Sequence, residues 1–432
     1  MGSSTLPATL ADWLELLELR HPKAIDLGLE RCSEVWRRMG SPAPAPKIFM
    51  VAGTNGKGST VATLCALLDA FNYQYGSYTS PHLLRYNERV RVNGKAVSDE
   101  VLLASFERVE AVRGDVSLSY FEFGTLAAID ILAGSGLDFA VMEVGLGGRL
   151  DAVNLLDADC AVITPIGLDH QLYLGDDLES IGYEKAGIIR PYKPVFSGES
   201  KPPESIIDFA RSRQAPLHRL GVDFSIGAES EQARFIKGSM EMKVPLPVLK
   251  GPHQLGNMAT ALAAFLELVP HAAGDTRAIE LGLRSVSLAG RFQRINRRPA
   301  IWIDVGHNPM AAQALSVALR EAMVGGNIPV CRCVLAMLAD KDATAVVEAL
   351  KPLVNGWYCA GLEGDRGQSG AELAERARQA GQGLDIRVFE TVSNALDAAA
   401  SDSGQDEAVL VFGSFLTATE ALLHWQSKDH DN

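Results

Sequence analysis

The fold of this chain is decided by the stretch Ile48-Phe49-Met50-Val51-Ala52-Gly53-Thr54-Asn55-Gly56-Lys57-Gly58-Ser59-Thr60. It predicts a buried strand, then a Gly-rich turn, then the start of a helix. The glycines let backbone N–H groups converge on one anion, and a helix N-terminus adds its positive dipole end. Lys57 can reach the β- and γ-phosphates, and Ser59 or Thr60 can offer a hydroxyl to Mg²⁺. We therefore predict that the chain binds a nucleoside triphosphate.

The spacing of this loop departs from the usual phosphate-binding pattern G-x-x-x-x-G-K-[ST]. Here the pattern is G-x-x-G-K-G-S, which is two residues shorter and carries Gly58 after the lysine. The alternative interpretation is an ordinary strand-to-helix turn. The density of glycine, lysine and hydroxyl residues after an apolar strand favours the phosphate loop.

The composition of the whole chain excludes several classes of protein. Its 432 residues are 47% apolar with a formal net charge of −13, which argues against a nucleic-acid-wrapping surface and a polybasic membrane patch. No apolar run approaches the ~20 residues of a transmembrane helix. Residues 1–5 lack the basic start of a signal peptide, and the six cysteines lack metal-type spacing. We expect a cytoplasmic protein with reduced thiols that is a monomer.

Strand-like and helix-like segments alternate along most of the chain, which predicts α/β layers with parallel sheets. Strand candidates at 48–52, 138–144 and 159–164 are apolar throughout, as strands buried on both faces require. Residues 217–248 alternate in short runs and predict an antiparallel patch appended to this sheet. The alternation restarts after the basic stretch 294–298. We therefore predict a P-loop-type, doubly wound, mostly parallel domain over 1–296 and a smaller Rossmann-like α/β domain over 297–432.

Polar side chains follow several of the predicted strands at the point where each strand ends. Glu143 ends one buried strand, His170 follows another, and Ser80 follows a third. Ligands of open α/β sheets bind at the carboxyl edge of the strands, and hydroxyl and carboxylate oxygens suit a hard cation, although an imidazole is unusual for Mg²⁺. The alternative interpretations are that Glu143 forms an ion pair with Arg149 and that His170 is a solvated loop residue. We favour Mg²⁺ ligands.

Further candidates lie outside the first sheet. Lys185 follows a helix-compatible stretch and, taken alone, is better explained as a surface lysine. The second domain supplies Asp304-Val305-Gly306-His307-Asn308-Pro309 at a strand end, with proline suited to a first helical turn. Gly290-Arg291-Phe292 precedes that domain, and the segment His253-Gln254-Leu255-Gly256-Asn257 opens a helix.

Taken together, these stretches resemble the folylpolyglutamate synthase/dihydrofolate synthase family of Mur-type ATP-dependent amide ligases, and its bacterial bifunctional members most closely. The matching pieces run in the family's order from about residue 20 to the C-terminus. Besides the phosphate loop they are Thr79-Ser80-Pro81-His82-Leu83, Tyr120-Phe121-Glu122-Phe123-Gly124-Thr125, Glu143-Val144-Gly145-Leu146-Gly147-Gly148-Arg149-Leu150-Asp151-Ala152, Leu168-Asp169-His170, Glu184-Lys185-Ala186-Gly187, Gly290-Arg291-Phe292 and Asp304–Pro309.

The resemblance implies a role for each matching position. The ATP contacts would be Thr54, Asn55, Gly56, Lys57, Gly58, Ser59, Asn257, Arg291 and Asp304. The Mg²⁺ ligands would be Ser80, Glu143, His170 and a carbamylated Lys185 at a second metal site, which reverses the expectation for that lysine. The pterin-bearing substrate would lie against Asp26, Leu27, Gly28, Leu29, Ser119, Tyr120, Phe121, Glu122, Leu150, Asp151 and Ala152. Lys57, Lys185 and His307 would be the catalytic residues.

The reaction that the resemblance implies is amide formation through an acyl phosphate. The substrates would be dihydropteroate or a tetrahydrofolate, ATP and L-glutamate, with neither nucleic acid nor membrane as a partner. Two rival interpretations remain. One is a ligase of the same superfamily that acts on a cell-wall precursor, and the other is a nucleotide-switch protein that hydrolyses slowly. Substrate-dependent ADP release separates the three.

Overall fold

The structure of the protein is a computed structural model that describes residues 6–23 and 25–430. Residues 1–5, on which the prediction about a signal peptide rests, lie outside the described part. The chain forms two compact units: the first runs to Val248 and resumes over Leu255–Val286, and the second comprises Leu249–Gln254 and the residues from Ser287 onward. The domain boundary that the sequence predicts between residues 296 and 297 stays a prediction.

The first unit is built on an eight-stranded sheet with the strand order β4-β3-β2-β5-β1-β6-β7-β8. In this order the six strands from β2 to β8 are parallel to one another, whereas β3 and β4 form an antiparallel edge. The bounds are β1 (Lys47–Ala52), β2 (Tyr75–Tyr78), β3 (Val90–Val92), β4 (Lys95–Ala96), β5 (Phe139–Glu143), β6 (Cys160–Ile163), β7 (Val195–Ser197) and β8 (Leu217–Arg219).

Both faces of this sheet are covered, which explains why its central strands are apolar without alternation. Along β1, Met50 contributes to the core on one face, while Phe49 and Val51 contribute to the core on the other face. The helices of the unit are α1 (Leu10–Arg20), α2 (Glu30–Arg38), α3 (Lys57–Ala70), α4 (Asp99–Arg113), α5 (Tyr120–Ala133), α6 (Gln171–Leu174), α7 (Leu178–Ala186), α8 (Glu204–Ser212), α9 (His253–Leu268) and α10 (Thr276–Ser285).

The antiparallel patch predicted over 217–248 is a separate sheet. It has three strands in the order β11-β10-β9, namely β9 (Phe224–Ala228), β10 (Gln232–Lys237) and β11 (Met240–Pro245). Residues 217–219, which the sequence places in this patch, are β8 and pair in parallel with β7 of the main sheet. Phe235 and Val244 of the small sheet are buried in the core on the α3 face. The patch therefore packs against the first sheet without extending it.

The second unit is a smaller α/β sheet with the order β12-β13-β17-β14-β15-β16. Only β12 is antiparallel to its neighbour. The elements are β12 (Gln293–Arg297), β13 (Ala300–Asp304), α11 (Pro309–Gly326), β14 (Cys331–Leu335), α12 (Ala343–Leu350), β15 (Gly356–Ala360), α13 (Gly370–Arg378), β16 (Ile386–Phe389), α14 (Val392–Ser401), β17 (Ala408–Phe412) and α15 (Phe415–His430). The prediction of a doubly wound second sheet is confirmed. Across the described ranges, no helix combines the length and the apolar character needed to cross a membrane.

Candidate active site

The predicted phosphate loop joins β1 to α3, and its glycines are required by close packing. Gly53 has φ +143°, and a Cβ on it would lie 1.8 Å from the Oγ1 atom of Thr164. Gly56 caps α3 with φ +93°, and its Cβ would lie 2.5 Å from the Oδ1 atom of Asn257. A side chain at either position would collide with its neighbour in addition to straining the backbone. The loop is therefore packed between the end of β6 and helix α9.

Further hydrogen bonds hold this loop against the segment that follows β6. The backbone N–H of Thr54 donates to the carbonyl oxygen of Pro165 (3.1 Å), and the Thr54 hydroxyl donates to the carbonyl of Gly167 (3.0 Å). Ser59 lies in the first turn of α3 and is 2% exposed. Asn55 and Gly58 lie in the same loop and first turn. The structure therefore brings the predicted contacts of the phosphates together.

Two lysine amines converge on one carbonyl of the loop. Nζ of Lys57 donates to the carbonyl oxygen of Gly53 at 3.0 Å, and Nζ of Lys185 donates to the same oxygen at 2.9 Å. Lys185 lies on α7 and is only 4% exposed, so the surface position that the sequence alone favours is wrong. Burial, and then the positive charge of Lys57, lower the pKa of Lys185 to about 7, although Asp169 and Asp151 oppose this shift.

The three other predicted metal ligands lie at the carboxyl edge of the main sheet. Glu143 is the last residue of β5 and is 5% exposed, Ser80 follows β2, and His170 follows β6. Strands β2, β5, β1 and β6 are consecutive and parallel in the sheet. The ends of these strands therefore bring a carboxylate, a hydroxyl and an imidazole to the edge where the phosphate loop begins.

Arg149 is the residue that the sequence offers as an alternative partner of Glu143. In the structure its guanidinium forms an ion pair with Glu184 at 2.7 Å and stacks on the ring of Tyr183 at 5.7 Å. The Arg149 backbone also binds α7, because its N–H donates to the carbonyl of Glu184 (2.7 Å). Through these contacts Arg149 connects the glycine-rich 145–151 segment to α7, the helix that carries Lys185.

The three segments predicted to contact the pterin-bearing substrate meet in the structure. The backbone N–H of Gly28 donates to the carbonyl of Leu150 at 3.2 Å, which joins the 26–29 segment to the 150–152 segment. A Cβ on Gly145 would lie 2.5 Å from the ring of Phe121, so the 119–122 segment packs against the strand end beside Glu143. These contacts bring segments from distant parts of the chain to one place.

Arg31 connects two of these segments and was missed by the sequence analysis. Its Nη1 lies 2.9 Å from Asp26 Oδ2, and its Nη2 donates to the Asp26 carbonyl at 2.8 Å and to Glu122 Oε1 at 3.0 Å. Glu122 also caps α5, since its carboxylate accepts from the N–H of Ser119 at 2.8 Å. The Glu122 carboxylate is therefore engaged in fixing the segment. The only feature of the sequence that could have indicated Arg31 is its position two residues after Leu29, the last residue of a predicted substrate segment.

Asp151 is a buried carboxyl group at the start of the third segment. It is 2% exposed and accepts hydrogen bonds from the N–H groups of Leu146 (2.8 Å) and Val153 (2.9 Å). Burial raises its pKa to about 6, although these backbone donors and Lys57 act in the opposite direction. A carboxyl group held in this way is a strong hydrogen-bond partner for a polar ring edge.

The second unit carries its own cluster at the end of β13. Asp304 accepts from the N–H of Phe292 (2.9 Å) and of Gly306 (2.7 Å), and burial raises its pKa. Arg291 lies over the ring of Phe415 at 5.8 Å, and Nδ1 of His307 is 3.1 Å from the carbonyl of Val305. The structure therefore brings Arg291, which the sequence places in a separate preceding segment, together with Asp304 and His307 of this strand end.

Comparison with solved structures supports the architecture. The chain superimposes on E. coli FolC in complex with DHPP and ADP with a TM-score of 0.89 and 42% identity, covering 98% of this chain and 99% of that one. It superimposes on a bifunctional folylpolyglutamate synthase/dihydrofolate synthase from Yersinia pestis complexed with AMPPNP and Mn with a TM-score of 0.87 and 43% identity, covering 96% of this chain and 98% of that one.

Sequence comparison gives the same result. Residues 290–415 match the domain family described as "Mur ligase, glutamate ligase domain". The dihydrofolate synthase/folylpolyglutamate synthase of E. coli is 45% identical over 96% of this chain and 94% of its own length. The enzyme of the same name from Haemophilus influenzae is 40% identical over 97% of this chain and 99% of its own length. The chain therefore belongs to the dihydrofolate synthase/folylpolyglutamate synthase family.

Proposed function

We propose that the protein is an ATP-dependent amide ligase that adds L-glutamate to dihydropteroate and to tetrahydrofolates. A substrate carboxylate oxygen attacks the γ-phosphorus of ATP, and ADP leaves, which gives an acyl phosphate. The amine of L-glutamate then attacks the acyl carbon, the new C–N bond forms, and inorganic phosphate leaves as the amine loses a proton. Phosphate activation is needed because a free carboxylate is a poor acyl donor.

The observation that carries this proposal is the convergence of Lys57 and Lys185 on the Gly53 carbonyl. The first step brings a carboxylate and a triphosphate together, and the repulsion between these anions must be offset. Lys57 and the N-terminus of α3 place positive charge where the phosphates would bind. In our proposal Thr54, Asn55, Gly56, Gly58 and Ser59 complete the phosphate contacts.

The residues at the sheet edge fit a divalent cation. Ser80 and Glu143 offer oxygen ligands, which Mg²⁺ prefers, and His170 offers a nitrogen ligand that Mn²⁺ also accepts. When bound, the metal ion supplies positive charge to the transferring phosphoryl group. The Yersinia pestis relative was solved with Mn and AMPPNP. We propose that Ser80, Glu143 and His170 hold one ion and that Lys185 takes part in holding a second.

We further propose that Lys185 is carbamylated. An amine must be neutral to attack CO₂, and a pKa of about 7 leaves a large neutral fraction at physiological pH. The product carries a carboxylate in place of a cation, and one proton is released. That anion would lie beside Lys57, whose charge opposes a protonated Lys185 and would favour the carbamate. The carbamate oxygens then become available to a cation.

We propose a role for each of the remaining predicted site residues. Asp26, Leu27, Gly28 and Leu29, with Ser119, Tyr120, Phe121 and Glu122 and with Leu150, Asp151 and Ala152, hold the pterin-bearing substrate. Asn257, Arg291 and Asp304 contact ATP, and His307 acts in catalysis. We also propose that the protein is a monomer of the cytoplasm. All six cysteines are free thiols, which is consistent with a reducing compartment.

ADP release tests the proposed function. We expect ATP- and Mg²⁺-dependent ADP formation with dihydropteroate and, separately, with tetrahydrofolate, each requiring L-glutamate for multiple turnovers. UDP-linked cell-wall precursors should give none, which would exclude the superfamily rival. An ATPase rate that ignores carboxylate and amine substrates alike would favour a nucleotide switch and would reject the ligase.

A further inference from the structure

Arg89 is a buried arginine that the proposed mechanism does not use. It ends a short 3-10 segment, Tyr86–Arg89, just before β3, and it is 8% exposed. Its guanidinium carbon lies 5.1 Å from the ring centroid of Tyr86 and 5.5 Å from that of Tyr120. The two rings are themselves close to perpendicular, with centroids 5.8 Å apart. The guanidinium is therefore fixed between aromatic faces.

The positive charge of Arg89 is not neutralised locally. Its Nε donates to Nδ1 of His82 at 2.9 Å. It also lies near the Tyr78 hydroxyl, whose pKa is raised by burial although the charge of Arg89 acts in the opposite direction. The contacts of this guanidinium among residues 6–23 and 25–430 are with the His82 ring, the Tyr78 hydroxyl and the rings of Tyr86 and Tyr120, none of which is a carboxylate. A guanidinium has five N–H donors, so an imidazole and a hydroxyl leave most of them without a strong acceptor. Burying such a cation is costly unless an acceptor arrives.

Arg89 also occupies a distinctive place in the proposed site. Its backbone carbonyl accepts from the N–H of Thr79 at 2.9 Å, and its side chain reaches His82. It therefore holds both sides of Ser80, a proposed metal ligand. Tyr120 on its other side is the first residue of α5 and belongs to a proposed substrate segment. Arg89 thus contacts both the loop that carries a proposed metal ligand and a proposed substrate segment.

We propose that Arg89 is a substrate-binding residue whose guanidinium receives the reacting carboxylate of the pteroate or folate substrate. This inference rests on the proposed function. A planar guanidinium matches a carboxylate in two parallel hydrogen bonds, which a lysine cannot reproduce. Dihydropteroate has one carboxylate, which is the reacting one. A folate ending in glutamate has a second carboxylate that does not react, so the two substrates distinguish which group Arg89 binds.

The test compares Arg89→Gln and Arg89→Lys with Arg85→Gln as the matched control. Arg85 immediately precedes the same segment as its N-cap, but it is largely exposed and pairs with Asp99 at 3.0 Å. The readout is the ratio of the dissociation constants of dihydropteroate and its carboxamide analogue, measured by calorimetry. We expect the native protein and Arg85→Gln to prefer the carboxylate about 10- to 100-fold. Arg89→Gln should bind both equally, and Arg89→Lys should retain an intermediate preference. The KM for ATP should stay unchanged in all variants.

If Arg89 had a purely structural role, its replacement would weaken the binding of dihydropteroate and of the carboxamide analogue to the same extent. An unchanged preference for the carboxylate in Arg89→Gln therefore overturns the inference. Should that variant not fold, an unchanged preference in Arg89→Lys overturns it equally. A rise in KM for both dihydropteroate and tetrahydrofolate is expected, because both carry the reacting carboxylate, whereas a rise for tetrahydrofolate alone overturns the inference. Failure of the proposed function is seen separately, because the native protein would then release no substrate-dependent ADP.

Discussion

Lys185 Nζ donates a 2.9 Å hydrogen bond to the carbonyl oxygen of Gly53 and thereby joins helix α7 to the first residue of the phosphate loop. The two residues are 132 positions apart in the sequence. The same carbonyl receives Nζ of Lys57 at 3.0 Å. A single backbone oxygen thus accepts hydrogen bonds from two lysine amines at the point where the proposed chemistry needs positive charge or a carbamate.

Replacing Lys185 by alanine should lower kcat about 100-fold or more, because the proposed carbamate is lost at the transfer site. Short carboxylates added to the assay should restore part of the activity. Lys185→Arg supplies the control, because it keeps a cation but forms no carbamate, and it should be as inactive as the alanine variant. Full activity of Lys185→Arg would show that charge alone suffices.

Replacing Gly53 by alanine should destabilise the protein and abolish ATP binding, because the new Cβ would lie 1.8 Å from the Thr164 hydroxyl oxygen. We expect a loss of about 2–4 kcal/mol in the free energy of unfolding, from overpacking and backbone strain together. Gly136→Ala is the matched control. That glycine has φ +64°, and a methyl group added there would meet nothing within 4 Å, so its cost should be about 1 kcal/mol from the backbone alone. Equal losses in denaturant unfolding would contradict the packing argument.

Asp151→Asn should change how stability depends on pH. The folded-state pKa of Asp151 is about 6 and the ordinary value is 3.8, so folding takes up a proton between these values. The contribution of this group is therefore most favourable below about pH 4, and it falls as the pH rises to about 6, by at most about 3 kcal/mol. The asparagine variant lacks this titration. The difference between the unfolding free energies of native protein and variant should slope over that range and be flat above it. A flat difference throughout would refute the raised pKa.

Arg31→Gln should raise the KM for dihydropteroate about tenfold while leaving the KM for ATP unchanged, because the link between Asp26 and Glu122 is lost. Arg20→Gln is the control. Arg20 pairs with Glu110 at 2.6 Å and is similarly shielded, and its guanidinium lies 6.0 Å from the ring centroid of Phe123, a residue outside the proposed substrate segments. That variant should lower only the melting temperature. If both variants changed the KM alike, Arg31 would have no special positioning role.

Much of the fold could be predicted because the central strands are buried on both faces. The apolar runs around Met50, Val141 and Val162 indicate such strands directly, and the polar residue after each run marks the sheet edge. Strand β12 could not be predicted in this way. It is polar and pairs on one side only, so the basic stretch 294–298 predicts a boundary where the structure has an edge strand and its turn.

The site was less predictable than the fold because burial depends on tertiary packing. Nothing in the α7 sequence distinguishes Lys185 from an exposed lysine, and its burial arises from contact with a loop far away in the chain. Arg31 and Arg89 were missed for a similar reason. Their partners Glu122 and Tyr120 lie on α5, and no local pattern predicts those pairings.

The packing of Gly53 against Thr164 has a consequence for nucleotide affinity. The loop receives its shape from β6 and α9, so the protein is already organised for the anion and little binding energy is lost in ordering the backbone. Substitutions at Thr164 should therefore change the affinity for ATP through the shape of the loop, without any contact between this residue and the nucleotide.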